Sequence, residues 1–239
     1  MPDFVLVALL VVCLGPLAGS FLGTFVNGWP VGRGRCLRCG VRLGLYELIP
    51  FRWCLNGECR RCGVPIPKHL IRIEVAALGL SLLAVALADS LVGLLALTVY
   101  LWCLLGLFYA DLLHFRLPDP LTVLLFAAGL ALASTAPDYT LEFAVLTAGV
   151  GAVAFWVVRK VYGVFRAREG LGMGDVKMMA GLGAGLGPER LPWTILLAAV
   201  LALIVASVER WRAGERMDAA APFPFGSYLA GGAVVVLTI

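Results

Sequence analysis

Charge is what this sequence has least of. Asp, Glu, Lys and Arg make up 14% of its 239 residues, against 61% hydrophobic residues, and the mean hydropathy is +0.95. A soluble domain carries about a quarter of its residues as charges, so the scarcity excludes that class and points to an integral membrane protein. A basic stretch ahead of the first apolar run is also missing, since only Met1, Pro2 and Asp3 precede it. Without that stretch the run does not read as a cleaved signal peptide and is expected to be a permanent span. The net charge of +4 is small, which gives no case for nucleic-acid binding and leaves attraction to membrane lipids as its meaning.

What is present is a series of apolar runs. A helix crosses the hydrocarbon core with about 20 apolar residues, or fewer when neighbours shield it. About eight segments qualify: Phe4–Val26, Leu70–Ala88, Leu91–Ala110, Leu121–Thr135, Leu141–Tyr162, Val176–Leu186, Trp193–Val208 and Pro224–Ile239. The expected fold is therefore an all-α bundle of about eight transmembrane helices. Basic residues gather on the cytoplasmic side of such bundles. With both termini outside, every one of the 19 Lys and Arg residues except Arg190 falls on that side. The expected division is a first helix over 1–26, a cytoplasmic loop over 27–69 and a seven-helix body over 70–239.

The loop holds the only substantial polar segment. Cys36 and Cys39 form one CxxC, Cys59 and Cys62 a second, with 19 residues between the pairs. This is the spacing of a four-thiolate zinc site, each pair aiming two sulfurs at one ion. Glycines follow both pairs at Gly40 and Gly63, where the turn of a knuckle can require positive φ. A loop of this size has too little core to fold alone, and zinc would supply the missing stabilisation. Two local disulfides are the alternative, disfavoured in a cytoplasmic loop. Cys54 has no CxxC partner, and Cys13 and Cys103 fall inside spans, so all three read as packed thiols.

Ionisable residues at membrane depth are costly and mark function. Four stand out at the cytoplasmic ends of spans: Glu74, Asp111, Asp119 and Asp175. Asp119, between Pro118 and Pro120, reads as the N-cap of the fourth span. Asp111 closes the third span and Asp175 opens the sixth, within the stretch GMGDVK (Gly172 to Lys177). Each alone could be a helix cap. Together, two carboxylates at one depth can hydrolyse a peptide bond without a metal, one activating water while the other protonates the carbonyl. Gly172 and Gly174 are expected to allow a sharp turn and close substrate approach, and Lys177 to face headgroups or substrate. The glycine-rich run from Gly181 to Gly187 lies inside a span with no strand before it, so it reads as close helix packing and not as a nucleotide loop.

Several blocks, in order, resemble the bacterial type IV prepilin leader peptidases, which are GxGD-type intramembrane aspartyl proteases. Gly19-Ser-Phe-Leu22, the four loop cysteines, Tyr46-Glu-Leu-Ile-Pro50, Asp111 with Leu117-Pro-Asp119, Gly172 to Lys177, and Pro224-Phe-Gly-Ser-Tyr-Leu229 carry the likeness over nearly the whole chain. The resemblance implies cleavage of prepilins or pseudopilins after a glycine that precedes an apolar helix, at the cytoplasmic face of the bacterial inner membrane. It implies Asp111 and Asp175 as the catalytic pair. It also implies methylation of the new N-terminus with S-adenosylmethionine, by the amino-terminal region. The chain departs from the pattern at Gly23, where Asn is usual, at Asn27-Gly-Trp-Pro30, where the arginine of YRLP is replaced, and at Ser227, where Pro is usual. Apart from the resemblance, two other functions fit the residues: a zinc-stabilised transporter or assembly subunit using Asp111, Asp175 and Glu74 as an ion relay, or a non-cutting pilin binder.

Overall fold

The structure is a computed structural model that describes residues 2–28, 39–41, 61–63, 68–137, 139–166, 171–213 and 223–239. Among these residues every regular element is a helix: α1 (Pro2–Gly28), α2 (Lys68–Leu87), α3 (Leu91–His114), α4 (Asp119–Ala133), α5 (Leu141–Arg166), α6 (Met173–Ala213) and α7 (Phe225–Leu237). Five of them, α1, α2, α3, α5 and α6, are long and apolar enough to cross a membrane. Helices α4 and α7 are apolar but shorter, at 15 and 13 residues, each a rod of roughly 20 Å.

Helix α3 is the central element. Its most hydrophobic window is 67% buried, against 22–33% for the other long helices, and Tyr100, Leu101, Leu104 and Leu107 are closed off entirely or nearly so. It packs against α1, α2, α4 and α7, while α6 packs against α4, α5 and α7. Both ends of α3 are set locally. Ser90 caps its start, with Oγ accepting the Gly93 N–H at 3.0 Å. At its end Phe115 turns into the left-handed region (φ 52°), and its N–H returns to the Asp111 carbonyl at 2.8 Å. A side chain in that region costs about 1 kcal/mol, so α3 stops abruptly one turn beyond Asp111.

Two expectations change here. The sixth and seventh apolar segments are two helical segments of α6, but what joins them is a single-residue break at Gly187 (φ 74°, ψ 175°), with Pro188–Pro192 helical where a gap between spans is expected. The break is sharp because glycine alone adopts that φ without strain, and Pro188 then suits the first turn of the second segment. Asp119 is also not an N-cap: Pro118 holds that place without a side-chain cap bond, and Asp119 is the first helical residue. Its carboxylate instead meets Lys177 Nζ at 2.6 Å, so Lys177 is paired across to α4.

The glycine run does pack helices. A Cβ at Gly181 would lie 2.8 Å from Leu125 of α4, at Gly183 2.7 Å from the Thr147 carbonyl of α5, and at Gly185 2.5 Å from the Tyr100 ring of α3. Three successive contacts of this kind lock α6 against three neighbours at once. Of the intramembrane thiols, Cys103 is buried and Cys13 lies on an exposed face of α1. Cys54 lies outside the described residues.

Candidate active site

The last turn of α3, the first turn of α6 and the first turn of α7 converge at one end of the bundle. Asp111 and Asp175 are brought together there, 6% and 8% exposed. Gly226 of α7 stands between them. A Cβ on Gly226 would lie 3.1 Å from Asp111 Oδ2 and 3.0 Å from Asp175 Oδ1. The two oxygens are therefore at most about 6 Å apart, those distances laid end to end, a gap that one water molecule bridges.

The two carboxylates are held differently. Asp175 is the third residue of α6, and its Oδ2 accepts the N–H of Gly172, just before the helix, at 3.2 Å. That is the returning half of a capping box, so the capping and functional readings of Asp175 are compatible. Its Oδ1 is buried with no hydrogen-bond partner among the described residues, leaving lone pairs directed at the gap. Asp111 Oδ2 accepts the N–H of Ser227 at 2.8 Å, and Ser227 Oγ lies 3.3 Å away. The same Oγ donates to the Phe108 carbonyl at 2.9 Å. Its single hydrogen can turn to Phe108 or to Asp111, so Ser227 serves Asp111 as donor or acceptor.

Gly174 leaves room and not a turn. Among the described residues positive φ occurs only at Phe115, Gly40, Gly63 and Gly187, whereas a Cβ on Gly174 would stand 2.8 Å from Leu117 Cβ. The α6 start thus closes on the segment after α3. A mouth of about 350 Å³ rich in charged side chains lies over the pair, lined by Asp111, Asp175, Arg116, Asp119 and Lys177 together with the apolar Phe115, Leu117 and Met173.

Glu74 does not line that mouth. It is buried on α2 where α1 comes close, a Cβ on Gly19 falling 2.6 Å from its Cα, so the three-carboxylate relay is not assembled around the cavity. Gly23, in place of the usual Asn, faces the Leu70 side chain at 2.6 Å from a built Cβ. Leu70 occupies the space a larger residue would take.

Of the expected zinc ligands, Cys36 and Cys59 lie outside the described residues. Cys39 and Cys62 are described, and the glycine after each has nearly the same backbone, φ 67° at Gly40 and 65° at Gly63. Two equivalent left-handed turns after two CxxC pairs fit the knuckles a thiolate site needs. Among the described residues no group of three or more His, Cys, Asp or Glu is placed to hold a metal.

The Pro224–Leu229 block, which the sequence marks only as part of the resemblance, supplies Gly226 and Ser227 to the site. The signal available was Ser227 at a position where the family pattern has Pro.

A family model described as the type IV leader peptidase family matches residues 98–207, and one described as the bacterial Peptidase A24 N-terminal domain matches residues 13–88. Both aspartates fall in the first match. A prepilin leader peptidase/N-methyltransferase of Burkholderia pseudomallei (strain 1026b) is 36% identical over 209 residues, 87% of this chain and 67% of its own. Proteins of the same description from Dichelobacter nodosus (33% over 202 residues, 84% and 68%) and Stutzerimonas stutzeri (32% over 262 residues, 95% and 88%) are also similar. No solved structure matches the chain.

Proposed function

The chain belongs to the type IV leader peptidase family, and from that premise we propose that it cleaves type IV prepilins or type II secretion pseudopilins after a glycine, using Asp111 and Asp175. The observation that carries this reading is the pair of buried carboxylate oxygens facing each other across Gly226. The ionised carboxylate takes a proton from a water in the gap while the protonated one donates to the scissile carbonyl oxygen. The water oxygen bonds to the carbonyl carbon, and collapse of the tetrahedral adduct expels the amine, which takes up a proton. Asp175 Oδ1, unpartnered among the described residues, is suited to hold the water. Gly226, lacking a side chain, leaves the peptide room to enter.

The same proposal includes methylation of the new N-terminal amine with S-adenosylmethionine, as the names of the relatives suggest. Cys36, Cys39, Cys59 and Cys62 are proposed to hold a structural zinc in the loop 27–69, a reading supported by the matched turns at Gly40 and Gly63. The body 70–239 is proposed as the protease part, with 1–26 as a separate first span.

The chain is proposed to cross the inner membrane about eight times, with both termini outside and the aspartates at the cytoplasmic face. Gly185 and Arg190 line a cavity with Leu87, Ser90 and Leu237, at the opposite end of the bundle from Asp175. Gly232 of α7 packs on Thr194 and Ala198 of the second α6 segment. Both contacts support a chain that turns back at Gly187.

Mass spectrometry of a prepilin-like peptide (basic leader, glycine, Phe-initiated apolar helix), incubated with the purified protein with and without S-adenosylmethionine, tests both activities. Cleavage after the glycine plus one methyl mass is expected. Asp111→Asn and Asp175→Asn are each expected to abolish cleavage while remaining inserted in the membrane. Wild-type rates in either variant refute the assignment.

A further inference from the structure

Asp111 stands between two cavities of different character. Over it lies the mouth rich in charged side chains. Behind it, along α3, runs an apolar groove of about 400 Å³ walled by α2 and α7, with Gly79, Leu80, Leu104, Phe108, Gly231 and Val234 among its lining. The groove exists because α2 and α7 both pack on α3 and hardly on each other. Its walls are low. A Cβ on Gly79 or on Gly231 would meet nothing within 4 Å, so each wall offers bare backbone to whatever lies in the slot.

We infer that this groove seats the first turn of the substrate's apolar helix, directly after the scissile bond. The inference rests on the function proposed above. Lipid tails are as apolar as leucine, so one helix binds another in a membrane by close packing, and glycine allows the closest approach. The wall from Ala76 to Leu80, that from Ala230 to Val234 and the floor from Leu104 to Tyr109 each cover a little over one turn, so the slot accommodates about one turn of a docked helix, roughly 6–8 Å.

Continuity with the aspartates identifies the occupant. Phe108 floors the groove one turn before Asp111, and its carbonyl accepts the Ser227 hydroxyl that also lies against Asp111. A chain leaving the groove at Phe108 is therefore one helical turn from Asp111. The substrate changes from polar leader to apolar helix at the cleaved bond, and the lining changes from charged side chains on the Asp111 side to none on the Phe108 side. A lipid tail has no peptide bond to place between the carboxylates, and a second copy of this chain is told apart from the substrate by crosslinking.

The test fills the slot without touching the aspartates. Gly79→Leu and Gly231→Leu add side chains into open space, and Gly149→Leu makes the same change on α5, where a Cβ also meets nothing. Cleavage of a substrate carrying its apolar helix is compared with that of a peptide ending a few residues after the glycine. The two groove variants are expected to lose at least about tenfold in kcat/KM on the helical substrate, through KM. They should match wild type on the short peptide, and Gly149→Leu should match it on both. A photo-crosslinker at Val234 in the Asp111→Asn protein is expected to capture the first apolar turn of the helical substrate.

Groove variants that cleave the helical substrate at the wild-type rate overturn the inference. So does an equal loss on both substrates, which would mean a distorted site, or a crosslink only to a second copy of the chain or to lipid. If the wild-type protein cleaves neither substrate, the proposed function fails and the groove assignment falls with it.

Discussion

Replacing Ser227 by proline removes the N–H that holds Asp111 and the hydroxyl beside it. The N–H bond is short, 2.8 Å to Asp111 Oδ2, and both residues are nearly closed to solvent, at 3% and 6% exposure. A hydrogen bond to a charged group contributes roughly 1.5–3 kcal/mol, about 10- to 150-fold in rate if it orients the reacting carboxylate. The hydroxyl, bonded to the Phe108 carbonyl at 2.9 Å, contributes about 1 kcal/mol more. Although the family pattern has Pro at this position, Asp111 of this chain is held through Ser227, so Ser227→Pro should lower kcat by on the order of a hundredfold or more, and Ser227→Ala by only about fivefold. Ser227→Thr keeps both donors and should restore the wild-type rate. Because Ser227 touches Asp111 and not the substrate, the loss should appear in kcat with KM held. Proline is tolerated in the first turn of a helix, so the fold of α7 should survive. The assay is steady-state cleavage of a prepilin-like peptide by each variant, with thermal unfolding measured alongside. A wild-type kcat in Ser227→Pro, per folded molecule, refutes the reasoning, as does a loss that Ser227→Thr shares in full.

Two other perturbations probe the same structure. Gly226→Ala places a methyl group 3.0 and 3.1 Å from the two carboxylate oxygens, pushing them apart by tenths of an ångström; kcat should fall on the order of a hundredfold with the protein still folded, and unchanged kinetics would contradict the placement of Gly226 between them. Replacing Cys36 and Cys39 with Ser should lower bound zinc, read by metal analysis of the purified protein, and make the 27–69 loop more susceptible to proteolysis, with a smaller effect on cleavage. A wild type free of zinc counts against the site.

Composition alone placed the chain among membrane proteins, and position at the ends of apolar runs singled out the two carboxylates that the structure brings together. Hydropathy is a local property, so the apolar segments fall on helices, and the glycines from Gly181 to Gly187 announce close packing because no other residue lets backbones approach so nearly. Asp111 and Asp175 stood out because charge is costly at that depth. Helix junctions were less legible: whether Gly187 ends a span in a loop or in a single-residue break depends on what packs on either side, and whether Asp119 caps α4 depends on Lys177, 58 residues away.

What surrounds the pair is set by helix packing. Ser227 lies 116 residues from Asp111 in the chain, and Gly226 has no side chain to advertise a role. They reach the aspartates because α7 packs on both α3 and α6, which brings its first turn to the point where α3 ends and α6 begins. Glu74 shared every local mark of a functional carboxylate, yet the packing of α2 on α1 sets it apart from the mouth. Burial cost, a local quantity, selects which residues are candidates, and helix packing, a global one, selects which of them meet.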